Sequence, residues 1–258
     1  MATALITGAS NGIGLELAKI HASKGDDLVL VARNKQKLDE LKSELEAAHN
    51  IKIYTIGKDL SLPNAAKDVY DETTRQHISI DYLVNSAGFG DFGMFAETDW
   101  NKELQMINLN ITALTHFTKL YLQDMAKRGS GKIMNVASTA AFQPGPTMSV
   151  YCATKAYVLS FSEAVNNEVS DTGITVTALC PGPTESGFQA AAALEDSKLF
   201  KGKNIPTSKT VAEYGYRAMM SGKTVAIHGL VNSILANFVR IMPRSLVVKV
   251  TRNLLDKA

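Results

Sequence analysis

Two groups of residues, far apart in the chain, have the types and spacing for joint chemistry. In the first, Tyr151 and Lys155 are four residues apart, and Ser138 precedes them by a short loop. A lysine one helical turn from a tyrosine shares its helix face, and a nearby cation lowers the pKa of a phenol from about 10. We predict that Tyr151 exchanges a proton with substrate, while the hydroxyl of Ser138 stabilises charge on the substrate oxygen.

The second group is a glycine-rich segment near the start of the chain. It follows the apolar run Ala4–Ile6 and precedes a helix-like segment. Small residues let a backbone approach a pyrophosphate closely, and a helix start offers free N–H groups and the positive end of its dipole. The residues that we assign to this phosphate cradle are Gly8, Ser10, Asn11, Gly12, Ile13 and Gly14.

Strand-like and helix-like runs alternate around these groups. Helices are predicted over residues 12–23, 35–48, 98–127 and 149–171, with a further helix capped by Ser61. The strands are continuous apolar runs, which is typical of a parallel sheet covered on both faces. The pattern predicts an α/β, doubly wound Rossmann-type sheet of about seven strands in a single domain spanning residues 1–258. The predicted strands are Ala2–Thr7, Asp27–Ala32, Ile51–Ile56, Ile80–Asn85, Lys132–Ala137, Ile174–Cys180 and Thr224–His228.

Polar and small residues stand where these strands end, which is where such sheets bind ligands. Arg33 follows the second strand, at a position where NAD sites usually carry a carboxylate. A guanidinium there pairs with a 2′-phosphate, so NADP(H) is favoured and NAD(H) stays open. Asp59 and Leu60 follow the third strand, where the carboxylate either accepts a hydrogen bond from adenine or only forms a turn. At the end of the fourth strand, the small residues let the backbone pass close to the cofactor; the assigned residues are Asn85, Ala87 and Gly88.

Together these residues resemble the short-chain dehydrogenase/reductase family in its single-domain form. The TGxxxGxG pattern matches Thr7–Gly14, the NNAG-type motif matches Asn85–Gly88 with serine in its second place, and YxxxK matches Tyr151–Lys155. The resemblance runs from residue 2 to about residue 230, with the motifs in order. One departure is Asn11, where many NADP-preferring members carry a basic residue.

The resemblance assigns roles to further residues. It implies that Asn108 is an active-site residue at a local distortion of its helix, and that Lys155 holds the nicotinamide ribose hydroxyls. It also implies that the PG motif after the sixth strand contacts the cofactor, the residues being Pro181, Gly182 and Thr184. Cofactor contacts are expected from Tyr151 and Lys155 as well.

These assignments predict an NADP(H)-dependent oxidoreductase that transfers a hydride between the nicotinamide and a carbonyl or secondary alcohol. Residues Phe142–Val150 and a lid at about 183–206 frame the substrate, and their apolar side chains, which include Phe188, Leu194 and Phe200, favour a hydrophobic small molecule as substrate. A non-catalytic dinucleotide sensor is the alternative, although such proteins typically lose the Tyr/Lys pair. A lyase or epimerase is a third possibility, but the sequence shows no additional acid–base residues for it.

Composition restricts the partners and the compartment. A net charge of +2 gives no strong field to attract nucleic acid. The two cysteines, Cys152 and Cys180, suggest packing roles without disulfides and a cytoplasmic location. No metal site is predicted, and no apolar run approaches the roughly 20 residues that span a bilayer.

The segment from about residue 230 to 258 interleaves apolar and basic residues, with Pro243 breaking the run. We favour an amphipathic tail that docks over the substrate pocket or against a partner subunit; contact with a membrane surface is the minority alternative. Ala153, Ala156, Ser160 and Ala164 form a stripe of small residues that packs against the sheet or against another subunit. The family resemblance implies a homodimer or homotetramer.

Overall fold

The computed structural model describes residues 1–185 and 205–255. Within them, seven strands form one sheet, in the order β3-β2-β1-β4-β5-β6-β7, and every neighbouring pair is parallel. This confirms the predicted doubly wound, Rossmann-type class. The strands are β1 (Thr3–Thr7), β2 (Asp27–Ala32), β3 (Ile53–Gly57), β4 (Tyr82–Asn85), β5 (Gly131–Val136), β6 (Ile174–Cys180) and β7 (Val225–Ile227).

Helices follow the strands and cover the sheet. The predicted helix over 98–127 is interrupted by a π-helical segment at Asn108–Ala113, and a short 3-10 turn spans Thr139–Phe142. The helix at Ser208–Met220 was not predicted. The α-helices are α1 (Gly12–Ser23), α2 (Lys35–Ala48), α3 (Ala65–Arg75), α4 (Trp100–Ile107), α5 (Leu114–Arg128), α6 (Ser149–Glu168), α7 (Ser208–Met220), α8 (Leu230–Phe238) and α9 (Arg244–Leu255).

Successive strand residues point to opposite faces of the sheet, and both faces are apolar. Ile6 and Leu30 belong to a buried cluster with Leu17 of α1, and helices α2 and α7 contribute to the same cluster. Leu5 and Val29 belong to a second cluster on the other face, with side chains from α3, α5 and α6. Burial on both faces explains why the strands read as continuous apolar runs.

The strand order reverses between β1 and β4, which opens a crevice beyond their carboxyl ends. The two loops at this point are joined by Thr7, whose Oγ1 accepts hydrogen bonds from the N–H groups of Ser86 (3.0 Å) and Ala87 (3.1 Å). Gly8 follows with φ +69°, and a Cβ there would lie 2.9 Å from the Cα and N atoms of Ala87. Only glycine satisfies both the conformation and this close approach.

The predicted cap of α3 is wrong. The helix begins at Ala65 after Asn64, which has a positive φ of 61° and makes no side-chain capping bond. Ser61 instead donates hydrogen bonds to Asp59 Oδ1 from both its backbone N–H (2.9 Å) and its hydroxyl (2.7 Å). The carboxylate of Asp59 binds the hydroxyl of Ser61 in a turn, so this hydroxyl does not cap the helix, and the helix starts later.

The lid predicted at about 183–206 lies mostly outside the described residues. At its two ends, the N–H of Glu185 donates to the carbonyl of Pro206 at 2.9 Å. Across residues 1–185 and 205–255, none of the helices has the length and apolarity needed to cross a membrane.

Candidate active site

A cavity of about 550 Å³ lies at the carboxyl ends of the strands, in the crevice between β1 and β4. It is lined by the loops that follow β1, β2, β3, β4 and β6, by the end of β5, and by residues of α6 and α9. The structure therefore brings most of the predicted site residues together. Those that line the cavity are Gly8, Ser10, Asn11, Gly12, Ile13, Arg33, Asp59, Leu60, Ala87, Gly88, Ser138, Tyr151, Lys155, Pro181, Gly182 and Thr184.

Two residues assigned to the cofactor, Gly14 and Asn85, do not line the cavity, and their contact with a cofactor stays a prediction. A Cβ on Gly14 would meet the carbonyl oxygen of Gly8 at 2.4 Å, so Gly14 lets the first turn of α1 pack against the loop. Asn85 is buried, and its Nδ2 donates to Thr118 Oγ1 (3.1 Å) and Asn135 Oδ1 (2.9 Å). Both residues support the loops around the cavity rather than line it.

The role of Asn108 also stays a prediction, and a second asparagine two residues along the chain is a further candidate. Asn108 begins the π-helical segment and does not line the cavity, whereas Asn110 is buried, 1% exposed. The Nδ2 of Asn110 donates to the carbonyl of Phe89 (3.0 Å) and to Thr154 Oγ1 (3.1 Å). Side chains two positions apart on a helix point to nearly opposite sides, so Asn108 and Asn110 cannot both face the site. The predicted distortion of this helix is confirmed.

Asn110 lies beside Gly88 and Lys155. A Cβ added to Gly88 would be 2.9 Å from Asn110 Oδ1 and 3.4 Å from Lys155 Nζ. The two polar groups therefore approach the same backbone from one side, and Gly88 leaves room for them. The sequence signal that could have identified Asn110 is its spacing of two residues from Asn108 in the same helix.

Ser138, Tyr151 and Lys155 converge on the cavity from two elements. Ser138 follows β5 and starts the 3-10 turn, where its Oγ accepts a hydrogen bond from Ala140 N at 3.1 Å. Tyr151 and Lys155 lie one turn apart on the buried face of α6, and Lys155 Nζ is 5.8 Å from the centre of the Tyr151 ring. Hydroxyl, phenol and ammonium thus face one space, as proton transfer to a bound carbonyl requires.

Lys155 is an ammonium in an almost dry site. Its side chain is 6% exposed, and Nζ donates a hydrogen bond to the carbonyl of Val136 at 2.8 Å. Burial lowers the pKa of Lys155 to about 8, because a charged amine loses its hydration there. The charge is thus only weakly compensated by the protein itself.

The expected lowering of the Tyr151 pKa is not found in the ligand-free protein. Burial raises the pKa of this phenol above its ordinary value, and the hydrogen bond with the Ser138 hydroxyl opposes that rise only in part. The physical reason is desolvation, which penalises the phenolate more than these neighbours stabilise it. Tyr151 is accordingly a neutral proton donor over the physiological pH range.

The opposite end of the cavity carries several cations. Arg33 lines it together with Lys37 and Lys58, both of which the sequence reasoning missed. Lys58 directly follows β3, whereas Lys37 is in the first turn of α2. Lys58 pairs with Asp68 of α3, whereas within residues 1–185 and 205–255 neither Arg33 nor Lys37 forms an ion pair with a carboxylate. This end offers two cations to an anionic ligand.

Asp59 stays ionised beside these cations. Burial raises the pKa of its carboxyl group, but the two hydrogen bonds from Ser61 and the charge of Arg33 outweigh this, so the net pKa is lowered. The carboxylate is therefore fixed as an acceptor at the cavity edge, in a turn that the Ser61 bonds stabilise. The two roles that the sequence leaves open for Asp59, hydrogen-bond acceptor for adenine and turn former, are both compatible with this geometry.

Helix α9 closes the side of the cavity next to Tyr151. Thr251, Leu254 and Leu255 of α9 line it, and Leu255 packs in a buried cluster with Met148, Tyr151 and Cys152. Helix α9 thus lies beside the cavity, over which the tail is predicted to dock. Burial raises the pKa of the Cys152 thiol to about 12, which fits a packing role.

The glycine-lined backbone tests whether a dinucleotide fits. At Gly8 and Gly88, a Cβ would meet atoms of Ala87 and Asn110, respectively, at 2.9 Å, so glycine lets the loops that border the cavity pack closely against their neighbours. The loop also ends at the start of α1, where Asn11 Oδ1 accepts from Gly12 N at 2.8 Å and leaves the following N–H groups directed outward. Residues and shape fit a nicotinamide dinucleotide.

Comparison with protein families identifies the chain. The model of the family described as "short chain dehydrogenase" matches residues 2–196. The chain belongs to this family. This short-chain dehydrogenase is therefore an oxidoreductase that acts on CH–OH or C=O groups with a nicotinamide dinucleotide.

Similar proteins include a human very-long-chain 3-oxoacyl-CoA reductase, which is 29% identical over 260 residues; the alignment covers 97% of this chain and 78% of that protein. A solved short-chain dehydrogenase from Sphingobium yanoikuyae, in complex with NADPH, is 29% identical with a TM-score of 0.83 and coverage of 95% and 98%. The bulky-bulky ketone specific alcohol dehydrogenase from Comamonas testosteroni is 28% identical with a TM-score of 0.79 and coverage of 95% and 96%.

Proposed function

We propose that this short-chain dehydrogenase uses NADP(H) to interconvert a carbonyl and a secondary alcohol on a hydrophobic small molecule. The observation that carries the proposal is the convergence of Ser138, Tyr151 and Lys155 in one cavity whose far end holds Arg33 and Lys37. A dinucleotide extends from its nicotinamide to its adenosine between two such ends. The cavity thus has a proton donor, Tyr151, at one end and cations that can bind a phosphorylated ribose at the other.

The residues divide the chemistry as follows. The nicotinamide, when bound, donates or accepts the hydride. Tyr151 gives its phenolic proton to the substrate oxygen in reduction and takes it back in oxidation. Ser138 donates a hydrogen bond to the same oxygen, and the ammonium of Lys155 stabilises the phenolate that remains.

We propose Asn110, in place of Asn108, as the asparagine of this site. It acts as a positioning residue because it is buried, holds Phe89 and Thr154 through its amide, and lies next to Lys155. Thr154 directly precedes Lys155 on α6, so this hydrogen bond fixes the turn that carries the ammonium. The π-helical segment orients the side-chain amide of Asn110 toward this part of α6.

The preference for NADP(H) is supported by Arg33 and Lys37, neither of which forms an ion pair with a carboxylate in the described part of the chain. Arg33→Asp replaces an attraction for a 2′-phosphate by repulsion and should lower kcat/KM with NADPH by about 100-fold relative to NADH. Arg75→Asp, at an exposed arginine on α3, is the matched control. An unchanged cofactor ratio in Arg33→Asp would disprove the role of Arg33.

A hydrophobic substrate is supported by the apolar side chains on the nicotinamide side of the cavity, which include Phe89, Leu109, Met148, Leu254 and Leu255. Two of the similar proteins are named for a fatty 3-oxoacyl thioester and for bulky ketones. The test is loss of NADPH absorbance with a panel of apolar ketones and aldehydes and, for comparison, sugar phosphates. We expect turnover with the apolar group; turnover with sugar phosphates alone would contradict the proposal.

We further propose a homodimer or homotetramer that works in the cytoplasm. Ala153, Ala156, Ser160 and Ala164 are exposed along α6 and do not pack against the sheet, so the first of their two predicted roles is wrong. A small-residue face allows close approach of another helix. Both cysteines are free thiols, which fits a reducing compartment. Light scattering at micromolar concentration tests the assembly, and a monomeric mass would refute it.

A further inference from the structure

The outer faces of α8 and α9 are strongly apolar and exposed. On α8, Leu230 is 78% exposed, Ile234 58% and Phe238 52%, so three residues four apart face solvent together. The connection to α9 adds Ile241, which is 77% exposed. The residues of this surface, called the α8–α9 face below, are Leu230, Val231, Ile234, Leu235, Phe238, Ile241, Leu246, Val250 and Leu254.

The opposite faces of both helices rest on the cavity wall. On α8, Asn232 lies against Gly182, where a Cβ would be 2.4 Å from its Nδ2, and Ala236 is buried. On α9, the buried residues are Val247, Thr251 and Leu255, the last two of which line the cavity. Since both helices turn their inner faces to the same cavity, their outer apolar faces point away from the body of the protein.

The charged residues of this segment are all basic. Residues 230–255 contain four basic side chains and no acidic one, although the whole chain has 25 acidic residues and a net charge of only +2. All four basic residues are exposed: Arg240, Arg244, Lys249 and Arg252. Exposed apolar residues flanked by cations are the combination that binds the interface of an anionic membrane.

We propose that the α8–α9 face docks on a membrane surface that contains anionic lipids. A second copy of the chain fits this face less well, because a two-fold contact between identical faces would oppose the cations of both copies without a carboxylate from either face. A bilayer supplies both an apolar layer for Leu230, Ile234 and Phe238 and a negative surface for Arg244 and Lys249. The helices lie in the interface and do not cross it.

Docking in this orientation places one wall of the substrate cavity next to the lipid. Helix α9 exposes Leu246 and Val250 outward and directs Thr251 and Leu255 to the cavity, while Leu254 is half exposed and also lines the cavity, so a single helix thickness separates bilayer from cavity. An apolar carbonyl compound dissolved in lipid would reach the site without crossing water. This consequence rests on the function proposed above, whereas the docking itself does not.

The experiment is co-sedimentation of the full-length chain with two kinds of vesicle. One contains phosphatidylcholine alone, and the other contains about 30 mol% phosphatidylserine. We expect binding to the anionic vesicles at low salt, with binding to the neutral vesicles weaker by at least about tenfold, since each cation near an anionic surface contributes about fivefold. Binding should fall as salt is raised.

Two variants address the two components of the α8–α9 face. Phe238→Glu with Ile241→Glu removes apolar contacts, and Arg244→Glu with Lys249→Glu reverses two charges. Each pair should weaken binding to anionic vesicles by about tenfold or more. The matched controls are Leu62→Glu, at an exposed leucine outside the face, and Lys67→Glu with Lys127→Glu, at exposed lysines on α3 and α5; both should bind as the unchanged protein does.

Three results would overturn the proposal. The first is no binding of the unchanged protein to either vesicle. The second is equal weakening by the controls, and the third is a lower mass in solution for the variants of the face, which would make it a protein contact. Circular dichroism verifies that each variant is folded. Tyr151→Phe should bind vesicles normally, so failure of docking and failure of the proposed catalysis are distinguishable.

Discussion

Replacing Lys155 by methionine should stabilise the folded protein at neutral pH while abolishing turnover. Methionine has nearly the same length, and it removes an ammonium that is 6% exposed and bonded only weakly by its surroundings. A residue whose replacement increases stability but destroys activity is retained for function. This outcome would identify Lys155 as a charge held for a ligand.

The magnitude follows from the pKa of Lys155, which burial lowers from 10.5 to about 8. The unfolded chain therefore binds more protons than the folded chain between pH 8 and 10.5, and the contribution of this lysine to stability rises with pH across that window. Below pH 8 the charged lysine costs about 3 kcal/mol, at 1.4 kcal/mol for each pKa unit. Loss of the hydrogen bond to Val136 offsets about 1–2 kcal/mol of the gain, at every pH.

The assay is denaturant unfolding of the cofactor-free protein and of Lys155→Met at pH 7 and at pH 9.5. The free-energy difference between the two proteins should shrink by about 2 kcal/mol over this interval, because the lysine loses its charge. The raised pKa of Tyr151 makes the free energy of unfolding fall with pH, but only above about pH 10. It therefore does not affect the comparison between pH 7 and pH 9.5. Lys67→Met, at an exposed lysine of α3, is the matched control for the loss of a lysine. A pH-independent difference for Lys155→Met would refute the reasoning.

Four further substitutions test the site. Asn110→Ala should cost about 2 kcal/mol of stability and lower kcat at least about tenfold, measured by denaturation and steady-state kinetics, while Asn108→Ala changes neither much; the reverse ranking would restore Asn108. Gly8→Ala should abolish NADPH binding in a fluorescence titration, because its Cβ would be 2.9 Å from Ala87; normal affinity would contradict the cradle. Thr7→Val should lower the unfolding free energy by about 1–3 kcal/mol through two unpaired N–H groups, and an unchanged value would show that they find other partners.

The fold and the catalytic group could be predicted from the sequence because each depends on short-range pattern. The strands were identified by continuous apolar runs, and the parallel arrangement follows from burial on both faces. Tyr151 and Lys155 lie one turn apart in any helix, so their joint orientation required no knowledge of the tertiary structure. Ser138 joins them because it follows β5, and a parallel sheet ends all its strands at one edge.

The sequence-based assignments differ from the structure where tertiary contacts determine the direction or the environment of a side chain. Asn108 and Asn110 are equivalent in a linear pattern, and only the phase of the helix separates them. Asn85 satisfied its motif, but neighbouring Thr118 and Asn135 hold its side chain below the cavity. The direction of the Tyr151 pKa was missed because a spacing reveals a nearby cation but not the loss of water.

The central claim is that the phenol of Tyr151 transfers the proton in a site that binds the cofactor independently of it. The most direct test is Tyr151→Phe, measured by NADPH titration and by single-turnover absorbance with an apolar ketone that the unchanged protein reduces. We predict an unchanged Kd for NADPH, within about twofold, and a rate of NADPH oxidation lowered by at least about 100-fold. A rate close to that of the unchanged protein would contradict the account.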